Sequence, residues 1–122
     1  MREMSGFDRI VTNDGIMQSP TLNDLDQLLA EGEPLTLARV SEYLATHRLA
    51  TANWFGPTGR PDRSSWIKRE GLGWRVWDTD ERAVIMDFSV LRTDSEAEAL
   101  DSFLRRARNH LQADGTAVRR GF

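Results

Sequence analysis

The sequence is informative first for what it lacks: its 122 residues include no cysteine, a single lysine and only two histidines. Without cysteine, no disulfide framework, thiolate metal site or cysteine nucleophile is available. His47 and His110 fall at the ends of two predicted helices and form no paired metal-binding motif, so we expect no metal and no cofactor. The apolar runs are too short for a membrane span, and residues 1–9 lack the pattern of a signal peptide. We therefore expect a cytosolic protein with no membrane partner.

The charges are nearly balanced, with 16 basic and 19 acidic residues and a formal net charge of -3. The arginines are spread along the chain, whereas nucleic-acid binders usually concentrate basic residues on one face. Of two short basic clusters, the one at 105–108 lies inside a predicted helix that begins with acidic residues, where it favours the helix dipole, and the one at 119–120 lies in a polar tail. We therefore expect no nucleic-acid partner. The length predicts a single domain over 1–122, with a weakly ordered stretch or short hairpin at 1–18 and a tail at 116–122.

Apolar residues at helical spacing predict three helices. A Ser-Pro start predicts a helix over 20–31, and a second apolar stripe predicts a helix over 34–46. The sequence Ser95-Glu96-Ala97-Glu98 has the form of a capping box and predicts the start of a long C-terminal helix. We expect Gly115 to end this helix.

Between the second and third helices the apolar residues alternate, which predicts strands at 49–55, 64–70, 74–79 and 83–91. Most of the loops between them are short, which favours antiparallel neighbours. The predicted fold class is therefore α+β: an N-terminal helix pair, a four-stranded antiparallel β-meander and a long C-terminal helix packed on the sheet.

The last predicted hairpin allows two loop lengths, and the choice decides which side chains share a face. A three-residue loop at 80–82 keeps one face apolar and places an opposite-charge pair on the other face. This loop predicts the cross-strand pairs Trp74–Phe88, Val76–Met86, Trp77–Ile85 and Arg75–Asp87. The C-terminal helix is then expected to cover Val84, Met86, Phe88 and Val90.

All four tryptophans lie in the predicted strands, and tryptophan is common both in cores and in interface hot spots. We expect Trp74 in the core. For Trp77 two interpretations stay open: a core residue under the helix pair, or an exposed anchor for a partner.

No residue pattern predicts catalysis. Ser64 and Ser65 have no histidine near them in sequence and lie in no nucleophile elbow. The glycine-rich segment 56–60 lacks the lysine and the following helix of a phosphate-binding loop. The last predicted hairpin carries four carboxylates: Asp78, Asp80, Glu81 and Asp87. We expect this hairpin to be solvated, and solvated carboxylates suit partner recognition better than acid–base catalysis. We therefore do not expect an enzyme.

Residues 34–44, Pro-Leu-Thr-Leu-Ala-Arg-Val-Ser-Glu-Tyr-Leu, resemble the first helix of excisionase-like helix-turn-helix modules. The resemblance implies DNA binding through a second, recognition helix. No such helix is predicted here, because Pro57 and Pro61 interrupt the segment that follows. The expectation of no nucleic-acid partner therefore stands.

Residues 64–111 resemble the small bacterial immunity proteins that neutralise polymorphic or contact-dependent toxins. The similar features are a tryptophan-rich strand at 74–78, the hairpin 79–82, an apolar strand, and a helix that opens at residues 95–100. The resemblance implies a non-catalytic, antitoxin-like protein of the bacterial cytoplasm that binds a cognate toxin or effector protein, commonly by covering its active site. The alternative is a secretion chaperone or another adaptor-type protein-binding module.

Acidic groups on a rigid hairpin beside an aromatic anchor would suit a partner with a cationic active site. The partner-binding residues predicted on this basis are Trp77, Asp78, Asp80, Glu81, Arg82 and Ile85. The sequence leaves open the activity of the toxin and the oligomeric state of this chain.

Overall fold

The computed structural model describes residues 22–30 and 34–120. In chain order the elements are α1 (Leu22–Leu29), α2 (Leu37–Thr46), β1 (Ala52–Trp54), β2 (Ser65–Glu70), β3 (Gly73–Asp78), a 3-10 turn (Asp87–Ser89), β4 (Leu91–Thr93) and α3 (Glu96–Arg120). The mixed α+β class, the four-stranded sheet and the C-terminal helix packed on it are as predicted. None of the helices in these two ranges is both long and apolar enough to cross a membrane.

Within the described residues the two N-terminal helices lie inside their predicted ranges, and α2 is shorter than predicted. Thr36 caps α2, because its Oγ1 accepts a hydrogen bond from the Arg39 amide at 3.2 Å. Both helices pack against α3, and the Arg108 guanidinium of α3 donates to the Asp26 carboxylate of α1 at 2.7 Å. The stretch predicted to be weakly ordered, 1–18, lies outside the described residues.

The strand order of the sheet is β1-β2-β3-β4. The pairs β2–β3 and β3–β4 are antiparallel as predicted, but β1 and β2 are parallel, so the prediction of a fully antiparallel meander is wrong. The reason is the segment 55–64, the return segment, which runs back beside β1 before β2 begins. Its Arg60 amide donates to the Ala50 carbonyl at 2.8 Å, and a Cβ added to Gly59 would lie 2.5 Å from that oxygen.

The return segment also covers the outer edge of β1. The Trp54 amide donates to Thr58 Oγ1 at 2.8 Å, and the Thr58 hydroxyl donates to the Ala52 carbonyl at 3.3 Å. The side chain of Asn53 is fully buried, and its amide group donates to the Arg60 carbonyl of the return segment at 2.9 Å. The turn rich in proline and glycine is therefore an ordered part of the fold.

Helix α3 covers one face of the sheet, which we call the inner face. Ile67 of β2 and Val76 of β3 oppose each other on this face and are fully buried. Trp74 lies on the same face and is buried, as predicted. The apolar stripe of α3 packs in the same core and is also fully buried: Ala99, Leu100, Phe103, Leu104 and Ala107.

The predicted start of α3 is confirmed and its predicted end is wrong. Ser95 Oγ accepts the Glu98 amide at 3.1 Å, while the Glu98 carboxylate accepts from the Thr93 hydroxyl, which itself accepts from the Ser95 amide at 3.1 Å. The capping box therefore closes through Thr93. The helix continues past Gly115 to Arg120, so most of the predicted tail is helical. A glycine costs a helix about 1 kcal/mol relative to alanine, but it leaves the backbone hydrogen bonds in place.

The fourth strand does not lie where the alternating pattern predicted it. It spans Leu91–Thr93 instead of 83–91, with Leu91 opposite Val76 and Thr93 opposite Trp74. The four cross-strand pairs that we predicted from a three-residue loop are therefore wrong. An isolated bridge between Thr79 and Ile85 is the point at which this segment approaches β3.

The helix face predicted from that strand is wrong for the same reason. Val84 and Phe88, which we expected beneath the C-terminal helix, are 53% and 88% exposed. Met86 and Val90 are half-buried and belong to the same connection between β3 and β4. The apolar residues of this segment therefore face solvent to a large extent, although they alternate as in a strand.

Candidate functional site

The chain between β3 and β4, residues 79–90, forms a loop that we call the apolar loop. Its side chains Val84, Ile85 and Phe88 are 53%, 46% and 88% exposed. They are three of the five large hydrophobic side chains that are exposed within the described ranges. Long ordered loops with exposed apolar residues are more typical of binding than of a simple connection between antiparallel strands. The apolar loop is therefore the candidate site.

Asp80 organises the tip of the apolar loop. Its amide donates to the Val84 carbonyl at 3.0 Å, and its Oδ1 accepts from the amides of Arg82 and Val84 at 2.8 Å and 3.0 Å. Ala83 adopts a positive φ of 63° between them, which completes the tight turn. The amides of Val84 and then Arg82 lower the pKa of the Asp80 carboxyl below its ordinary value, because they stabilise the carboxylate.

Hydrogen bonds between Asp78, the last residue of β3, and the second half of the apolar loop close the base of the loop. The Met86 amide donates to the Asp78 carbonyl at 3.0 Å, and the Asp78 amide donates to Ser89 Oγ at 2.9 Å. The Ser89 amide and hydroxyl both donate to the Met86 carbonyl, at 2.8 Å and 2.6 Å. The loop thus has a defined conformation at its tip and at its base.

Helix α3 contributes two further groups at the base. Arg106 Nη1 donates to Asp78 Oδ2 at 3.1 Å and also to the Ser89 carbonyl. His110 Nε2 lies 3.0 Å from Asp78 Oδ1. The three charged or titratable side chains are half-buried between β3 and α3, where charge-assisted hydrogen bonds are less screened than at the surface.

The structure brings four of the six predicted partner-binding residues together in the apolar loop. Asp80, Glu81 and Arg82 form its tip, and Ile85 follows them. Glu81 and Arg82 are exposed, whereas the Asp80 carboxylate is occupied by the turn. Partner contact stays a prediction for these four residues.

Asp78 lies apart from the loop tip. It is on the inner face of the sheet, and both of its carboxylate oxygens bond to α3. Its side chain is therefore engaged within the fold, at the base of the apolar loop.

Trp77 lies on the opposite face, the outer face, and is 6% exposed. Its ring stacks on Trp66 of β2 with the ring centroids 5.8 Å apart, and the Arg75 guanidinium lies 4.8 Å from its centroid. Trp77 is therefore buried, but not under the helix pair. This burial favours a structural role for Trp77 over the role of an exposed anchor.

Sequence reasoning missed the two most exposed large apolar side chains of the site, and it missed the residues that support the loop. Val84 and Phe88 were assigned to the core because they alternate with polar residues, a pattern that a strand and an extended loop share. Arg106 and His110 are spaced four residues apart, which places them on one helix face, and this spacing is the signal that could have paired them with a common carboxylate. Nothing local in the sequence identifies Asp78 as that carboxylate.

The hydroxyl groups of Ser64, Ser65 and Thr79 donate to main-chain carbonyls. Ser64 Oγ donates to the Arg60 carbonyl at 2.8 Å, and Ser65 Oγ donates to the Phe103 carbonyl of α3 at 2.9 Å. Thr79 Oγ1 donates to the Pro61 carbonyl at 2.6 Å. These buried groups tie the return segment and α3 to the sheet. Within ranges 22–30 and 34–120, no three side chains of the metal-ligating types cluster around a common point.

A cleft of about 560 Å³ opens between α2 and the return segment. Its wall includes Trp54, Arg48 and Arg60 beside small and aliphatic side chains. The Arg60 guanidinium is bonded to Asp114 of α3 at 2.8 Å and to the main-chain carbonyls of its own segment. Arg60 therefore holds the return segment against α3.

No protein-family model, no curated protein and no solved structure matches this chain. The function is therefore inferred from the apolar loop and from the groups that hold it.

Proposed function

We propose that this chain is an immunity protein, a non-catalytic cytoplasmic protein that binds a cognate bacterial toxin domain through the apolar loop and occludes the toxin's active site. The observation that carries the proposal is the exposure of Val84, Ile85 and Phe88 on a loop whose tip and base are both fixed by hydrogen bonds. An exposed apolar group on a fixed loop loses little conformational freedom when it enters a partner's pocket.

Phe88 is the strongest candidate for the central anchor. It is 88% exposed, so most of its surface is available for burial, and buried aromatic side chains dominate many interfaces. Val84 and Ile85 would then pack around it and exclude water from the contact.

The charges of the apolar loop favour a partner with a cationic surface. The loop carries three acidic residues, Asp80, Glu81 and Asp87, against one basic residue, Arg82. Nuclease and nucleotide-processing sites are cationic, because they hold phosphates, so an acidic loop would complement them.

The proposal is tested by co-expressing the chain with the C-terminal domain of the large protein encoded directly upstream. Host survival and co-purification of a stable complex are measured together. We expect rescue from toxicity with a complex that survives gel filtration. Toxicity that the chain does not relieve would contradict the proposal, and binding to an export signal without inhibition would favour the chaperone or adaptor alternative.

At the residue level, Phe88→Ala is expected to weaken toxin binding by about 30-fold, equivalent to roughly 2 kcal/mol for an interface hot spot. Stability should change little, because the side chain is exposed in the free protein. The matched control is Leu72→Ala, since Leu72 is 94% exposed at the β2–β3 turn, at the opposite end of β3. Affinity is measured by calorimetric titration. Equal affinity for Phe88→Ala and the unsubstituted chain would remove the apolar loop from the interface.

A further inference from the structure

One guanidinium spans both ends of the apolar loop. Arg106 Nη1 donates to the Asp78 carboxylate at the end of β3 and to the Ser89 carbonyl just before β4. Its Nε donates to Ser102 Oγ at 2.9 Å, four residues earlier on α3. Because the guanidinium is planar, this third bond fixes the orientation in which the other two are made. Arg106 therefore links the two ends of the loop to one rigid helix.

The carboxylate, the amide and the carbonyl of Asp78 all form hydrogen bonds. Its two carboxylate oxygens bond to Arg106 and His110, and its amide donates to Ser89 Oγ. The Asp78, Arg106 and His110 side chains are between 17% and 21% exposed, so solvent screens their interaction only in part. The cluster forms a continuous connection from α3 to both ends of the loop.

The Arg106 bonds determine neither the register of the sheet nor the main core. β3 pairs with β4 over residues 74–76 and 91–93, and the core under α3 is formed by apolar side chains. What the Arg106 bonds restrain in addition is the path of the chain that leaves β3 and enters β4.

We infer that Arg106 is a positioning residue, which holds the apolar loop in the conformation that the partner binds, and that Asp78 contributes to binding through Arg106 and not by touching the partner. The inference rests on the proposed function, and it states that two half-buried side chains, Asp78 and Arg106, hold the binding loop in its bound conformation before the partner arrives. A loop that is ordered before binding has less conformational entropy to lose in the complex.

The test is hydrogen exchange on the full chain carrying Arg106→Met, which removes the guanidinium and keeps an unbranched apolar stem. We expect the amides of Asp80, Met86 and Ser89 to exchange about tenfold faster or more, while β2 and α3 keep their rates. The matched control is Arg105→Met, because Arg105 is an exposed neighbour whose guanidinium bonds to Asp101 on the same helix. It should leave the loop amides unchanged.

Binding of the toxin domain supplies the second readout. Arg106→Met should weaken binding about tenfold, and Arg106→Lys should recover part of the loss, since it restores the charge without the planar set of donors. If Arg106→Met fails to fold, Asp78→Asn tests the same link from the sheet side, because it removes the carboxylate charge to which Arg106 donates; the same loop amides should then exchange faster.

Unchanged exchange of the loop amides would overturn the inference. So would equal acceleration in the loop, β2 and α3, which would indicate a general loss of stability, or an opened loop with undiminished affinity. Failure of the proposed function is distinct: in that case no toxin domain binds even the unsubstituted chain, while exchange in the isolated chain still decides whether Arg106 holds the loop.

Discussion

Trp77 and Asp78 are neighbours in the sequence and have opposite surroundings, because successive side chains of a strand point to opposite faces of the sheet. Trp77 stacks on Trp66 on the outer face, and Asp78 bonds to Arg106 and His110 on the inner face. A linear motif groups the two as one acidic and aromatic patch, but the sheet separates them. Strand alternation alone predicts this separation. The residues that each side chain contacts depend on long-range packing, which cannot be derived from local sequence patterns.

At the residue scale, we expect Trp77→Ala to reduce the free energy of unfolding by about 3 kcal/mol, because the ring is buried and stacked. Urea denaturation measures the loss. The control Leu72→Ala, at an exposed position, should stay within about 0.5 kcal/mol of the unsubstituted chain. A near-normal unfolding midpoint together with lost toxin binding would instead identify Trp77 as a partner anchor.

The tip of the apolar loop should loosen in acid, because the ionised Asp80 carboxylate accepts its two amide hydrogen bonds more strongly than the protonated acid does. The pKa of Asp80 is lowered in the folded state, so the stabilisation is present above the ordinary pKa of an aspartate and is lost as the pH falls through the folded-state pKa. Amide resonances of Arg82 and Val84, followed by NMR from about pH 5 to about pH 2, should report this transition. Asp80→Asn is the control, since the amide oxygen accepts the same bonds and does not titrate. Identical pH profiles for the two chains would contradict the assignment.

At the scale of the elements, the helices and the first three strands could be predicted because each has a distinct period or cap. Thr36 caps α2 and Ser95 caps α3, and both signals are local. The apolar loop could not be predicted in this way, because its alternation of apolar and polar residues is that of a strand. What decides between the two is the turn made by Asp80 and the bonds to Ser89, and these depend on the folded chain.

The basic cluster at 105–108 shows the same limit within a helix. Its place in the second half of the predicted helix favours a general interaction with the helix dipole, but α3 continues to Arg120, so the cluster lies at the middle of the helix. In the structure each arginine has its own acidic partner: Arg105 bonds to Asp101, Arg106 to Asp78, and Arg108 to Asp26. Two of these partners are remote in sequence, so the cluster joins α3 to α1 and to β3.

The parallel pairing of β1 and β2 depends on the return segment, and Gly59 is its most crowded point. A Cβ at this position would lie 2.5 Å from the Ala50 carbonyl oxygen and 2.6 Å from that of Ala52, both main-chain atoms. Gly59→Ala is therefore expected to destabilise the fold by about 2 kcal/mol, a cost typical of overpacking. Thermal unfolding measures the change, with Pro57→Ala, an exposed position of the same segment, as the control. An unchanged melting temperature for Gly59→Ala would mean that the segment adjusts without cost.

At the scale of the whole molecule, the periods and the order of the apolar segments were sufficient to predict a mixed α+β fold with α3 on the sheet. They were not sufficient to predict the proposed binding site. A site of this kind consists of apolar side chains left outside the core, and the sequence records only that Val84 and Phe88 are apolar. Their exposure follows from where β4 begins, at Leu91, and that boundary is set by long-range pairing with β3.

The covered edge of β1 has a consequence for behaviour in concentrated solution. An open sheet can extend by accepting a strand from another chain, which leads to domain swapping or to fibrils. Here the Trp54 amide and the Ala50 and Ala52 carbonyls, the groups that an incoming strand would need, are already bonded to the return segment. A second molecule approaching this edge would find these hydrogen-bonding groups already paired. The return segment therefore blocks extension of the sheet on the β1 side.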